Sequence, residues 1–331
     1  MRVTVIVCTY NRAVYLRKML ESIVVSVLPN SVSWEVLIVD NNSSDQTPQV
    51  AEEFATRYPG RFRYIFESNQ GKSNALNSGI RSSDGDVIAF VDDDVKVDSA
   101  WLWNLRKPLD GNAWAGVGGR TLMAEAFSPP RWLLLSGTHN LAGILAAVFD
   151  FGENPRELDW APYGANMAYR RTMFEKYGMF RSDLGPSVDR RIPRPNEDTE
   201  FGRRLMAAGE RIRYEPLALV YHPVIRERIR KDYFLTWFFD FGRATVREAK
   251  RRPDILGIQR RYWAIAKIGS VKLMPHALRW MLNPHPAKRF FRKCIVWKFA
   301  GQIAEVYRFW DPGRTQSADT QKEIEEVCGS K

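Results

Sequence analysis

Three consecutive carboxylates, Asp92, Asp93 and Asp94, follow directly on the apolar run Val87-Ile88-Ala89-Phe90-Val91, which the turn signal Asp84-Gly85 precedes. A strand-length run ending in clustered acid puts hard oxygen donors at a strand's carboxyl end, where open α/β sheets bind their ligands. Such donors suit Mg²⁺ or Mn²⁺. Neighbouring carboxylates repel, so without a counter-charge some are driven toward protonation. In isolation the triplet reads more readily as a solvated acidic turn, and it is the rest of the chain that reverses this. A second acidic pair, Glu197-Asp198, opens a helical pattern, a place where the macrodipole alone accounts for carboxylates.

Strand and helix patterns alternate around the triplet. Residues 3–8 read as a buried strand, and Thr9-Tyr10-Asn11-Arg12 as the turn into an amphipathic helix reaching about Val27. A strand over Trp34 to Val39 closes in Asp40-Asn41-Asn42-Ser43-Ser44-Asp45, rich in turn and cap types. A helix to about Tyr58, a strand from Phe62 to Phe66, a helix from Gly71 to Ser82 and a strand over 86–91 follow. That alternation argues for a parallel, doubly wound sheet. Its strands end in polar groups along one rim: Thr9 and Asn11, Asp40 and Asn42, Asn69, then the triplet. A strand-end Asp can accept the imide N–H of a pyrimidine, and the helix N-termini beyond suit phosphate, so a nucleotide fits the inventory. Gly71-Lys72-Ser73 is not a P-loop, because Phe66 stands where that motif needs its first glycine. No Gly-x-Gly-x-x-Gly follows the first strand, which leaves a dinucleotide fold unsupported.

Further along, Ser99 to Lys107 reads as a short helix. Ala113 to Met123 reads as a strand whose Gly116, Gly118 and Gly119 admit a close backbone or ligand. Pro129-Pro130 breaks the chain, and residues 131–151 are expected to be helical in part. Tyr163-Gly164-Ala165-Asn166-Met167-Ala168-Tyr169-Arg170-Arg171 reads as a small-residue loop running into a helix, and Phe180 to Pro195 as a mobile loop. Short strands at 211–214 and 218–221 lead to His222.

Together these pieces resemble the family 2 glycosyltransferases of the GT-A fold, and they occur in that family's order. They are Val7-Cys8-Thr9-Tyr10-Asn11-Arg12, Val39-Asp40-Asn41-Asn42-Ser43, Gly71-Lys72-Ser73-Asn74-Ala75-Leu76-Asn77-Ser78-Gly79-Ile80, the Asp92 triplet, Gly164-Ala165-Asn166-Met167, Glu197-Asp198, and the last strand with His222. The resemblance covers about residues 1–224. It implies a Rossmann-like, mixed and mostly parallel sheet flanked by helices, with a C-terminal helical extension. It also implies inverting transfer of a sugar from a nucleotide-diphosphate sugar, UDP-linked in the first instance or GDP-linked, to a lipid-linked or polysaccharide acceptor.

By the same resemblance the triplet matches the DxD motif: Asp92 would face the ribose and Asp94 would bind Mg²⁺ or Mn²⁺, with His222 as a further ligand. Asp40 and Thr9 match nucleobase and ribose contacts. Donor contacts are also implied for Tyr10, Asn11, Arg12, Asn42, Asn69 and Asp93 at the rim, and for Lys72 and Asn77 in the third motif. Selectivity for the sugar is expected around Gly119, Arg120 and Asn166. Asp198 matches the catalytic base and Glu197 an orienting partner, with the two roles exchangeable. The chemistry independently asks for such residues, because displacement at an anomeric carbon needs a base on one side and charge neutralisation on the leaving diphosphate.

Bulk properties place the rest. A chain of 331 residues with 45% hydrophobic composition can pack a core, and its net charge is +11. From His222 onward there are 23 Lys and Arg against 11 Asp and Glu, so the basic excess belongs to the C-terminal third. Cys8, Cys294 and Cys328 are too scattered for a disulfide framework, which suits a reducing cytoplasm. The apolar run at the N-terminus is too short for a signal peptide, and Trp132 to Phe149 is too polar at its centre to span a bilayer. The expected division is a catalytic domain over 1–224, a basic and aromatic helical extension over 225–311, and a polar tail over 312–331. In the extension, the spacing predicts a helix from Tyr233 to Arg252 with Asp240, Arg243, Arg247 and Lys250 on one face and Phe234, Phe238 and Ala249 opposite. Arg260-Arg261-Tyr262-Trp263, Arg279-Trp280 and Lys288-Arg289-Phe290-Phe291-Arg292-Lys293, with Trp297 and Trp310, interleave basic and aromatic side chains. That pattern suits peripheral attachment to an anionic membrane at its cytoplasmic face, or a helical cap with solvated charges; nucleic acid is the less favoured partner. Two other readings stay open at this stage: a nucleotidyltransferase, and a non-catalytic nucleotide or nucleic-acid binder on a degenerate enzyme fold.

Overall fold

The computed structural model describes residues 1–29, 31–189, 191–249 and 265–308. The chain divides into two compact units, one of residues 1–129 and 135–229, the other of 130–134 and the residues from 230 onward.

In the first unit, β1 (Val3–Thr9), β2 (Trp34–Asp40) and β4 (Val87–Val91) are buried almost throughout, as unbroken apolar runs require of strands covered on both faces. With β3 (Phe62–Phe66) they form a parallel array in the order β3-β2-β1-β4. Alternation sends Val3, Val5 and Val7 of β1 to one face, under α1 (Ala13–Val24) and α2 (Thr47–Arg57). Ile6 points to the other, with Leu37, Val39, Ile88 and Phe90, under α3 (Lys72–Ser82). The chain thus winds outward from β1 and returns on its far side to β4. The point of reversal opens a crevice at the carboxyl ends of β1 and β4.

The sheet continues with β8 (Asn166–Arg170) antiparallel to β4, β6 (Gly116–Met123) antiparallel to β8, and β9 (Ile212–His222) parallel to β6. Two-residue strands, β5 (Lys96–Val97) and β7 (Arg156–Glu157), pair with β9. Short helices α4 (Trp101–Arg106), α5 (Ala142–Ala146) and α6 (Arg171–Tyr177) join them, and α7 (Glu197–Ala207) follows.

Three expectations change here. The stretch Tyr163 to Arg171 holds a buried strand, β8, and not simply a loop into a helix. The two strands expected at 211–214 and 218–221 are one, β9, whose register to β6 jumps between Gly119 and Arg120. Pro216, which has no N–H to give a ladder, lies in the bulge. The segment expected to be mobile is fastened: Asn77 bonds both backbone groups of Phe180, at 2.8 and 3.0 Å, and Ser73 Oγ and the Lys72 N–H bond the carbonyls of Leu184 and Pro186.

The second unit contains α8 (Lys231–Glu248), a π-helical turn Ile268–Leu273 leading into α9 (Met274–Leu282), and α10 (Pro286–Arg308). Backbones of α8 and α10 touch: a Cβ on Gly242 would lie 1.9 Å from the Lys298 carbonyl oxygen, and one on Gly301 2.0 Å from that of Phe239. The polar face expected on α8 is not solvated. Asp240 and Arg243 are buried, and Arg243 and Arg247 bond the two oxygens of Glu305, which is 1% exposed, at 2.8 and 2.6 Å. Trp132, from the inserted segment 130–134, packs edge-on against Phe290 and Phe234. Arg260 to Trp263, Trp310 and the tail over 312–331 lie outside the described residues. No helix among the described residues is long and apolar enough to cross a membrane.

Candidate active site

The crevice is built from strand ends. Asp92, Asp93 and Asp94 leave β4 with cations on two sides. Arg12, at the start of α1, reaches Asp94 Oδ2 at 2.5 Å and Asp93 Oδ1 at 3.3 Å. Lys72, first residue of α3, bonds Asp92 Oδ1 at 2.6 Å and lies 3.8 Å from Glu197 Oε1. Lys72 therefore joins the triplet to the start of α7, more than a hundred residues later. Asp198 faces the same space: it accepts the Gly164 N–H on Oδ2 and the Thr199 N–H on Oδ1, both at 2.6 Å. The Asp92 triplet and Glu197-Asp198 thus converge on one cleft.

Charges in the cleft are strongly coupled. Burial, followed by the negative charge of Asp198, pushes Glu197 up to about 8 against the pull of Lys72. Burial, with Asp94 and Asp92 adding to it, pushes Asp93 up to about 7 despite Arg12. Burial also works against charged Asp92 and charged Lys72, but their mutual attraction wins. Asp92 is held below the usual carboxylate range and Lys72 well above the usual lysine value.

Asp92, Asp94 and His222 each offer one ligand atom, all within 4.8 Å of one another. His222 Nδ1 lies 2.9 Å from the Pro223 carbonyl, which can only accept, so a neutral ring carries its proton there. That leaves the Nε2 lone pair facing Asp94 Oδ1 at 3.5 Å. This same Oδ1 is buried without a hydrogen-bond partner. Two acceptors facing each other across that distance fit a divalent cation, and the imidazole backed by a carbonyl is a usual ligand arrangement. Arg228, which sequence reasoning passed over because it lies beyond the recognised motifs, comes within 3.9 Å of Asp94 Oδ2.

Other expected donor contacts are placed as follows. Thr9 is nearly fully buried at the end of β1, and Tyr10 is exposed. Asn11, at φ 52°, ties the β1 turn to the β2 loop by accepting the Ser44 N–H at 2.7 Å. Asp40 is fully buried, accepting from the Ser43 N–H at 3.0 Å and the Tyr64 hydroxyl at 3.1 Å, while Asn42 and Asn69 are exposed at the rim. Asn41, not singled out from sequence, staples this rim by bonding Glu67, Asn69 and Gly71 backbone groups.

Four residues expected near the donor are taken up by the framework. Asn77 holds Phe180. Asn166, 1% exposed, accepts from Trp101 Nε1 at 2.8 Å and donates to the Arg120 and Ala218 carbonyls. Gly119 lacks a side chain because Asn166 occupies the space. Arg120 pairs with Asp150 at 2.9 Å.

The fold and cleft define an α/β protein with a carboxylate, histidine and lysine cluster at the switch point of its sheet. The family model for glycosyl transferase family 2 matches residues 4–178, and the chain belongs to that family. It is similar to the succinoglycan biosynthesis protein ExoM of Rhizobium meliloti, 27% identical over 265 residues that span 80% of this chain and 79% of that protein. It is 36% identical to glycosyltransferase AglE of Haloferax volcanii over 117 residues, 35% of this chain and only 38% of the relative's length. Among solved structures, a Pyrobaculum calidifontis mannosyltransferase in complex with GDP-Man and Mn²⁺ superposes with a TM-score of 0.59 at 18% identity, covering 91% of this chain and 86% of the other. The sheet is accordingly of GT-A type.

Proposed function

We propose that the protein transfers a sugar from a nucleoside-diphosphate sugar to an acceptor hydroxyl with inversion, using Mg²⁺ or Mn²⁺. The observation that carries this reading is the meeting of Asp94 and His222 with Asp198 in one cleft, linked through Asp92, Lys72 and Glu197. Asp198, with both oxygens held by backbone N–H groups, takes the proton as the acceptor oxygen bonds to the anomeric carbon and the bond to the diphosphate oxygen breaks. Lys72 and Glu197 fix that carboxylate's surroundings, while Arg12 and Arg228 bring positive charge to the leaving-group side. A cation held by Asp94 and His222, with Asp92 in reach, would supply the remaining charge neutralisation. The GDP-Man and Mn²⁺ with which the superposed mannosyltransferase is complexed agree with this ligand class. A polysaccharide acceptor agrees with the succinoglycan relative, and scattered thiols with work on the reducing side of a membrane.

Asp198→Asn keeps the shape but removes the base and gives up one of the two backbone hydrogen bonds, and should lower turnover about 10²- to 10⁴-fold while largely retaining donor binding. Product analysis with candidate donors checks it: wild-type release of a nucleoside diphosphate is expected, and release of pyrophosphate, or full activity in the variant, would reject the assignment. Exhaustive chelation should abolish turnover and added Mg²⁺ or Mn²⁺ should restore it; undiminished transfer after chelation would remove the cation from the proposal.

A further inference from the structure

We propose that the outward face of α9, with the turn before it, docks the protein onto an anionic lipid surface. Met274, Leu278, Met281 and Leu282 fall within an arc of about 100° on α9, and Val271 precedes them by one turn. These five side chains are 59, 50, 61, 79 and 64% exposed, respectively, among the described residues. The opposite side of the helix is already used: Trp280 meets Trp297 and His276 meets Phe299, both on α10, and Lys293 lies over the two tryptophan rings. The stripe is thus an apolar surface that packing within α9 and α10 does not consume.

Charge selects the occupant. Residues 255–304 contain ten Lys and Arg and no Asp or Glu. Lys267, Lys272, Arg279, Lys288 and Arg289 are exposed on or beside the helix. A second copy would bring the same uncompensated positive charge against itself. Nucleic acid would satisfy the charge but find aliphatic side chains on the stripe instead of stacking rings. An anionic bilayer matches both features, since lysine and arginine stems lie along the headgroups while the apolar stripe enters the acyl boundary.

This inference is independent of the donor chemistry, and its test reads binding alone. The full chain is sedimented with phosphatidylcholine vesicles, with and without phosphatidylglycerol, at low and high salt. Binding is expected only with the anionic lipid, weaker at high salt. Leu278→Glu with Met281→Glu should weaken it at least about tenfold, with circular dichroism and donor turnover unchanged. Lys272→Glu with Arg279→Glu should remove much of the salt-sensitive part. Absence of binding at low salt overturns the proposal, as does equal binding of the apolar double variant. Self-association through the stripe without vesicle binding gives the face to a second copy, and displacement of vesicles by duplex DNA gives it to nucleic acid; either outcome overturns the lipid assignment.

Discussion

The two acids beside Lys72 show how burial competes with a shared cation in one cleft. The Lys72 ammonium stands between Asp92 and Glu197 and favours the charged form of both, yet they end apart: Asp92 keeps its charge, whereas burial and the neighbouring Asp198 push the more deeply buried Glu197 up to about 8. In an unfolded chain the same glutamate titrates near about 4.3. Between these values the folded protein holds a proton that the unfolded chain has released. The contribution of Glu197 to stability is therefore fully present at acid pH and is lost as the pH rises through about 8. Glu197→Gln should flatten this decline and make the protein relatively more stable at alkaline pH. Denaturant unfolding of both forms at about pH 5 and about pH 9 checks it, and parallel pH profiles for the two would remove the residue from this role.

Elements carry the next constraint, because β4, β6 and β9 reach the cleft only if β8 and its asparagine hold them together. Asn166 satisfies one indole N–H and two carbonyls, and Gly119 leaves room for it. Gly119→Ala would place a methyl 2.3 Å from Asn166 Nδ2 and 2.4 Å from the Ala218 carbonyl oxygen. Relief must come from backbone shifts, costing about 1–3 kcal/mol; a thermal midpoint unchanged from wild type would contradict this packing. The first four strands were legible in the sequence because they are long apolar runs with turn signals at both ends. β8 was not, because Asn-Met-Ala-Tyr-Arg lacks a branched apolar run and its burial comes from neighbours on both sides. For the same reason Asn166 read as a pocket residue: its type announces hydrogen bonding, but only the register of three strands says with what. The acids of the cleft were easier, since strand-end carboxylates have few other reasons to cluster, while Lys72 as their link depends on a contact across more than a hundred residues.

At the scale of the molecule, two units of different character share one chain. The C-terminal unit is strongly basic, yet part of its charge is internal: Arg243 and Arg247 close on Glu305, and Arg243 also bonds Asp240. Spacing on α8 alone could not distinguish this from a solvated face, because the partner carboxylate lies about sixty residues downstream. Glu305→Ala would leave buried guanidinium groups without that carboxylate and should cost about 3–5 kcal/mol. An exposed pair such as Arg17–Glu53, 41 and 44% exposed, should matter far less, because solvent screens it. Chemical denaturation of Glu305→Ala beside Glu53→Ala compares them, and equal losses would refute the distinction.

Because residues 130–134 belong to the C-terminal unit, the backbone crosses between units three times, after Pro129, after Leu134 and after Ile229. Any attempt to graft a foreign C-terminal region onto this catalytic scaffold by a single splice near residue 229 would keep the native Trp132 while discarding Phe234 and Phe290, the rings it packs against. A chimera that transplants the five-residue insert together with its own helices would preserve that fit, making a stretch far upstream the hidden part of the exchangeable module.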